Sequence, residues 1–579
     1  MCSPAEPGFP ASLALGVLVA ISVLAPWWFG AVLPEALFAA SALALLAGAL
    51  ALAAGAWRGG TALPAVPLWP LAAFVALIVL QLVPLPGALH AVLAPGSHAV
   101  WHPAAPEVAA VLGTGAHPVS VDPDSTLRGI ALTGGLALLA LLAGPAFSRP
   151  DRAVRALAVV AAGGVLLSAY AIFARARFGA LLYGTIAVPT VSPYGPFVNK
   201  NHFAGWIAMA TLLVAGLALG LADRARGHAG DWTTDPRAGG VILSIAAALA
   251  MALAGLASLS RGGAFALAAG GGCFAVLRLF RGRKRRRALW PTLVLAGVLG
   301  SILVVLVPPE ARERVRTLSG ASFRLDTWRD SLRLAASSPA LGYGLGAFHD
   351  AYPRFKRGNG MVRVEHAEND YIETLTETGG PGLALALAGL ALLLGAAGRG
   401  IATGSERAVR GIGTGAVAAL AALAAHSAVD FDLRIPSNAA LAALAAAAAA
   451  GAAGVRPRPL PRMGAVGLAA GAMLLLLAAA SLPDRPWLAA RHEAVQAAVS
   501  AAPAVRRLRL ERAEVALARV LKRRPAQAES WLQLAGARAA LGDAASGAAL
   551  ARHAVRLDPG RPGLAEAADR LSVVGAGSP

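Results

Sequence analysis

Long apolar runs separated by short polar or basic loops recur along the 579 residues of the chain. A membrane span takes roughly 20 apolar residues. Thirteen stretches approach that length, near 11–30, 35–56, 66–85, 129–147, 153–173, 202–222, 240–257, 263–280, 289–307, 380–397, 411–428, 437–454 and 464–482. They predict an all-α fold, a polytopic transmembrane helical bundle of about 12–13 spans. A polar segment over 308–379 interrupts the runs, and after Pro483 the pattern changes to charged, alanine-rich helix. The chain therefore divides into N-terminal transmembrane helices (1–307), a large loop (308–379), C-terminal transmembrane helices (380–482) and a small helical domain (483–579).

Composition supports this division. Hydrophobic residues make up 57% of the chain and charged ones 14%, with mean hydropathy +0.62, more apolar surface than a soluble domain hides. The two cysteines, Cys2 and Cys273, build neither a disulfide framework nor a zinc site. A net charge of +20 invites a nucleic-acid reading, but the basic residues sit in short loops between apolar runs, the signature of cytoplasmic membrane faces, so no nucleic-acid partner is expected. The first apolar run leads straight into a second, so no removable signal peptide is expected.

Charge also sets the orientation. "RLFRGRKRRR", Arg278 to Arg287, holds seven basic residues and no acidic one, which places it inside. Counting alternately from there puts "SRPDRAVR", "ADRARGHAGDWTTDPR", "GRGIATGSERAVR" and "VRPRPLPR" inside as well. The N-terminus is then cytoplasmic, and 86–128, 174–201, 308–379 and everything after 482 lie outside. The 308–379 loop carries ten basic and ten acidic residues, and outer positive charge calls for a reason.

Within that loop, "FRLDTWRDSLRLAASSP" reads as an amphipathic helix, with Leu325, Trp328, Leu332 and Ala335 at helical spacing. Arg329 and Arg333 share a face, either solvated and held by Asp326 and Asp330 or turned to an anion. In "GYGLGAF", Gly342, Gly344 and Gly346 alternate; the segment is either a flexible turn or a place where backbone approaches a ligand closely. Further on, "VRVEHAENDYIETLTETGGPGL" would, as one helix, line up His366, Asn369, Asp370, Glu373 and Glu377 at offsets 0, 3, 4, 7 and 11. Either it is a solvated helix beside the membrane or its polar stripe serves chemistry. Oxygen-rich clusters with one histidine are not specific for a metal, and none is expected from His366 and Asp370.

Elsewhere, "GPFVNKNHFAGW" sets Lys200 and Asn201 where an outer loop enters a span, and "SLSRGG" sets Arg261 in a very short outer turn. A cation so close to hydrocarbon snorkels or meets an anion. An anionic lipid headgroup is a common partner for Arg261, Lys200, Arg329 and Arg333, because guanidinium suits phosphate oxygens. Near the C-terminus, Trp531, Leu534, Gly547, Ala554 and Pro559 take the spacings of a tetratricopeptide repeat, with Ala513 and Pro525 standing 34 residues before Gly547 and Pro559. Such a module binds an envelope protein partner or docks on the rest of the chain.

The order "FVNKNHFA", "SLSR", "FRLDTWRDSLRLAASSPALGYGLGAF", "HAENDYIETLTETGGPGL" and "HSAVDFDLRIPSNAAL" resembles the O-antigen ligase and polymerase superfamily of bacterial envelope glycosyltransferases, over roughly 10–455. The resemblance implies a multi-pass inner-membrane protein that transfers glycan from an undecaprenyl-diphosphate-linked donor at the periplasmic face, without nucleotide sugar, cofactor or required metal. It places the site on the large periplasmic loop. The ligases' motif is histidine, asparagine, nine residues and Gly-x-x-Gly. Asn369 and Gly379 to Gly382 fit it, but Glu368 stands where the histidine would be, and His366 matches the first histidine of a longer His-x-His-Asn form.

The expected chemistry has Glu368 or His366 deprotonating an acceptor hydroxyl that attacks the anomeric carbon. Arg261 with Arg329 or Arg333 would steady the leaving diphosphate, and Asn369 and Tyr371 would orient sugar hydroxyls. The acceptor is the lipid A core, a growing glycan or a protein hydroxyl. Two rivals are a flippase, which predicts charged groups buried mid-span, and a non-catalytic assembly scaffold.

Overall fold

The computed structural model describes residues 8–57, 61–64, 66–188, 192–225, 237–279, 319–358, 362–454, 458–482, 486–499 and 502–576. The apolar stretch at 289–307 and most of the basic run Arg278 to Arg287 lie outside the described residues. The protein is an all-α polytopic membrane chain. Ten of its described helices are long and apolar enough to cross a bilayer, and two shorter apolar ones, Trp69–Leu80 and Pro436–Ala452, match two further expected stretches. Among the described residues the one sheet is a two-stranded antiparallel ribbon, in which Thr61 faces Leu460 and Leu63 faces Arg458.

The chain forms two compact units. The first comprises Met1–Trp69, Ala131–Thr317 and Leu387–Ala480 and holds most of the long apolar helices. At its centre lie the helices Lys200–Ala225 and Arg407–His426, both largely buried. Without a hydrophobic force between helices in lipid, such a pair is held by close contact of small residues. That is seen here: a Cβ on Gly216 would lie 2.6 Å from the Gly415 Cα, and one on Gly220 would lie 2.7 Å from the Ala408 carbonyl oxygen.

The second unit comprises Pro70–Ile130, Leu318–Ala386 and Ser481–Pro579. Three of the four longer segments that alternation assigns to the outer face thus share one body. The amphipathic helix expected over Phe323 to Pro339 is present as Ser319–Ala336. Its Leu334 joins Val100, Trp101, Tyr343, Phe348 and Tyr352 in a core that also takes in Val364 and Ala367. The helices Pro503–Leu521, Ala528–Ala540, Ala544–Leu557 and Leu564–Ala576 each pack on the next. Their apolar core extends to Val108, Val111 and Leu112 of the helix Pro106–Leu112.

Candidate functional site

The polar stretch is not one helix. Asn369 ends an irregular segment, and its side-chain oxygen accepts the Tyr371 and Ile372 N–H groups at 3.0 and 3.1 Å, so the helix Asp370–Thr403 starts behind an asparagine cap. The expected stripe is corrected accordingly: His366 lies before the helix, and the shared face begins at Asp370. The helix breaks again at Gly379, whose φ of +68° lies in the left-handed region.

This geometry folds His366 back over the first turn. Its Nδ1 lies 2.9 Å from Oε1 of Glu373, while the other oxygen of that carboxylate accepts the Ala367 N–H at 2.8 Å. An ionised carboxylate only accepts, so with Glu373 ionised Nδ1 would carry the proton and Nε2 would be the basic nitrogen of the ring. The Glu373 side chain is 1% exposed and that of His366 33%, an arrangement of buried orienter and accessible imidazole.

Glu368 is held differently. Its backbone is left-handed, with φ +55°, and its carboxylate accepts from Arg324 Nε and Nη2 at 3.3 and 3.2 Å. On the same helix as Arg324, Arg329 pairs with Asp326 at 3.5 Å and Arg333 donates to Asp330 at 2.6 Å. Arg324 is the site residue that the sequence reading missed. It lies five residues from Arg329, which on a helix is another face.

The alternating glycines answer to main chain. The Tyr343 N–H donates to the Thr376 carbonyl at 3.1 Å and the Gly344 N–H to the Glu377 carbonyl at 3.0 Å. Gly342 has φ +66°, and a Cβ there would lie 2.5 Å from the Glu377 oxygen. Close backbone approach was the right physics, but what approaches is the end of the helical segment that begins at Asp370.

Lys200, Asn201 and Arg261 belong to the first unit, and the other expected site residues to the second. Lys200 Nζ donates to the Leu259 carbonyl at 3.1 Å, and Ser260 Oγ donates to the Asn201 side-chain oxygen at 2.8 Å, which brings the two motifs together. Arg261 is exposed at the start of the helix Arg261–Leu279 and has no hydrogen bond or ion pair among the described residues. Behind this turn lies a buried polar network that the sequence reading did not assign. His426 Nδ1 bonds the Asp432 carboxylate, Asn438 donates to Asp432 and to the His202 carbonyl at 2.9 Å each, and His202 stands 3.4 Å from Asp430. Gly205 and Gly262 make room, since a Cβ on them would lie 2.6 Å from Asp432 Oδ1 and 2.8 Å from His426 Nε2.

In the second unit Asp122, His349 and Asp350 have ligand atoms within 4.8 Å of one another. Their charge is already matched: Arg524 reaches Asp122 at 3.1 Å and Asp350 at 2.9 Å, and the neighbouring Arg523 pairs with Asp124. Burial pushes the Asp122 carboxyl up, although Arg524 opposes it; at Asp350 burial pushes the same way, but His349 and Arg524 prevail and hold it low. Beside this cluster lies a cavity of about 570 Å³, lined by Lys356, Arg363, Arg524, Gln527, Glu529 and Arg561 among others.

Residues 246–387 match the O-antigen ligase family. The matched segment contains Arg261, the glycine-rich loop and the His366 to Gly382 stretch, and it stops short of Lys200, Asn201 and the C-terminal helices. No curated protein matches the chain. Together with the apolar helices, the ligase segment supports, in general terms, a membrane glycosyltransferase role of the O-antigen ligase kind.

Proposed function

We propose that the chain transfers glycan from an undecaprenyl-diphosphate carrier to a hydroxyl acceptor at the periplasmic face of the inner membrane, with His366 as the general base. The observation that carries this reading is the His366–Glu373 hydrogen bond inside the ligase-family segment. Nε2 of His366 takes the acceptor proton as the acceptor oxygen bonds to the anomeric carbon, and the bond from that carbon to the diphosphate oxygen breaks. Positive charge gathering on the imidazole is matched by the buried Glu373 carboxylate. Glu368, the other expected base, is already engaged by Arg324 and acts as an anchor for the segment.

Negative charge grows on the departing diphosphate, and Arg261 is assigned to it, with Lys200 and Asn201 beside it. Arg329 and Arg333, whose side chains are 69% and 47% exposed, are assigned to the anionic donor, and Asn369 and Tyr371 to sugar hydroxyls. The acceptor is the lipid A core, a growing glycan or a protein. The C-terminal helices are offered to an envelope partner.

The test is incubation of the purified chain in detergent with a synthetic undecaprenyl-diphosphate-linked oligosaccharide and each acceptor class in turn. Release of undecaprenyl diphosphate matched by glycosylated acceptor is the expected result. Translocation in vesicles without cleavage, or no reaction with any acceptor, would overturn it.

A further inference from the structure

Four histidines meet in a part of the second unit that the proposed reaction does not use. His90 lies on the helix Gly87–Leu93, His98 on the helix Pro95–Trp101, His102 directly after it and His117 before the Asp122 turn. Ring centres are 5.5 Å apart for His90 and His98, 5.9 Å for His90 and His102, 4.3 Å for His98 and His102, and 5.0 Å for His102 and His117. Two imidazoles sharing a tetrahedral zinc ion, with Zn–N bonds of about 2.0–2.1 Å, have ring centres roughly 5 Å apart. His98 and His102 are also four residues apart, the spacing that sets two imidazoles on one helical face.

Their hydrogen bonds fix the tautomers in the sense a metal requires. Ser97 Oγ donates to the Val119 carbonyl at 2.5 Å, so it accepts from His90 Nε2, 3.1 Å away. The proton is then on Nε2, and Nδ1 of the fully buried His90 is a bare lone pair with no hydrogen-bond partner. His117 repeats the pattern: its Nε2 donates to the Gly113 carbonyl at 3.2 Å, which leaves Nδ1 as the acceptor nitrogen. Nε2 of His102 is buried and unpartnered as well. One ring nitrogen donating to a carbonyl or hydroxyl while the other presents its lone pair is the usual support of a metal-bound histidine.

We propose that His90, His98, His102 and His117 form a binding site for one borderline-soft divalent metal ion, of which zinc is the type. The site is separate from the transfer chemistry. In the present rotamers the four nitrogens are less tightly gathered than the ligand atoms of Asp122, His349 and Asp350. His98 and His102, partly exposed, close the set by turning about their side-chain torsions. The acidic trio is the poorer candidate because Arg524 already supplies its cation. A bound ion would pin the helix Gly87–Leu93 to the helix Pro95–Trp101, whose Val100 and Trp101 belong to the core that also holds Val364 and Ala367 on either side of His366.

The experiment is zinc titration of the full-length, untagged chain in detergent after chelator treatment, read by competition with a chromophoric chelator and repeated with cobalt for its visible spectrum. The expected result is one ion per chain, with tetrahedral nitrogen-ligated cobalt absorption. The His98→Ala/His102→Ala variant should weaken binding at least 100-fold while its melting temperature with chelator present stays that of the parent; His349→Ala should bind as the parent does. No saturable binding, unchanged binding in the double variant, or loss in His349→Ala instead would overturn the proposal.

Discussion

The side-chain amide of Gln81 donates to the main-chain carbonyl of Glu377 at 2.7 Å and to that of Leu341 at 2.7 Å, while its oxygen accepts the Leu345 N–H at 3.1 Å. One fully buried amide thus ties the end of an apolar helix to the glycine-rich loop and to the helical turn behind the candidate base. Gln81→Leu keeps the volume but leaves the Leu341 carbonyl and the Leu345 N–H unpaired. At about 1–3 kcal/mol for each buried unpaired group, the second unit should lose about 2–6 kcal/mol. Protease susceptibility against denaturant measures this, and a variant as resistant as the parent would contradict the assignment.

Gly342→Ala tests the same junction from the backbone side. Alanine there carries both the left-handed φ and a Cβ 2.7 Å from the Thr376 oxygen. Transfer activity should fall together with thermal stability, by about 1–3 kcal/mol for the strained conformation alone. Full activity with unchanged stability would mean that the loop does not pack on Thr376 and Glu377.

Arg524→Met removes the cation between Asp122 and Asp350 and leaves two buried carboxylates facing one another. Breaking a buried pair by removing one partner costs about 3–5 kcal/mol. The C-terminal helices should then loosen, which hydrogen exchange across Pro503–Leu521 would read as faster exchange. Unaltered exchange would show that the pairing does not hold these helices.

His553 stands 4.9 Å from Trp531, and burial, aided by Arg556 and Arg354, pulls it down to about 4. Between pH 6.5 and 4 the unfolded chain therefore binds more protons at this position than the folded one. Stability falls as pH drops through that window. His553→Phe should make the fall in melting temperature between pH 7 and pH 4.5 shallower; an unchanged slope would contradict it.

Arg261→Ala should reduce transfer by at least about 100-fold, the scale of a lost charge stabiliser, while membrane insertion is intact. Normal polymer output from that variant would remove Arg261 from the reaction.

The spans were legible because bilayer thickness demands long apolar runs, and each described helix that meets the demand falls where such a run occurs. The pairings were not. Nothing local says that Gln81 serves a loop 260 residues away, or that Arg524 will stand between Asp122 and Asp350. The glycines at 342, 344 and 346 left open a flexible turn or a close approach to a ligand; the observed neighbour is main chain, which carries no sequence mark. The His366 to Glu377 stripe assumed one continuous helix, whereas Asn369 caps it, and that cap is what folds His366 onto Glu373. Asp430, Asp432 and Asn438 lie in the quoted stretch "HSAVDFDLRIPSNAAL", but their bonds to His202 and His426 needed coordinates.

The proposed mechanism makes His366, oriented by Glu373, the base and Glu368 an anchor. Its most direct test compares single-turnover transfer from lipid-linked oligosaccharide by His366→Ala and Glu368→Gln. The expected result is a loss of about 10²–10⁴-fold for His366→Ala and near-parental transfer for Glu368→Gln, whose amide oxygen still accepts from Arg324. Parental rates from His366→Ala, with transfer abolished in Glu368→Gln, would contradict it.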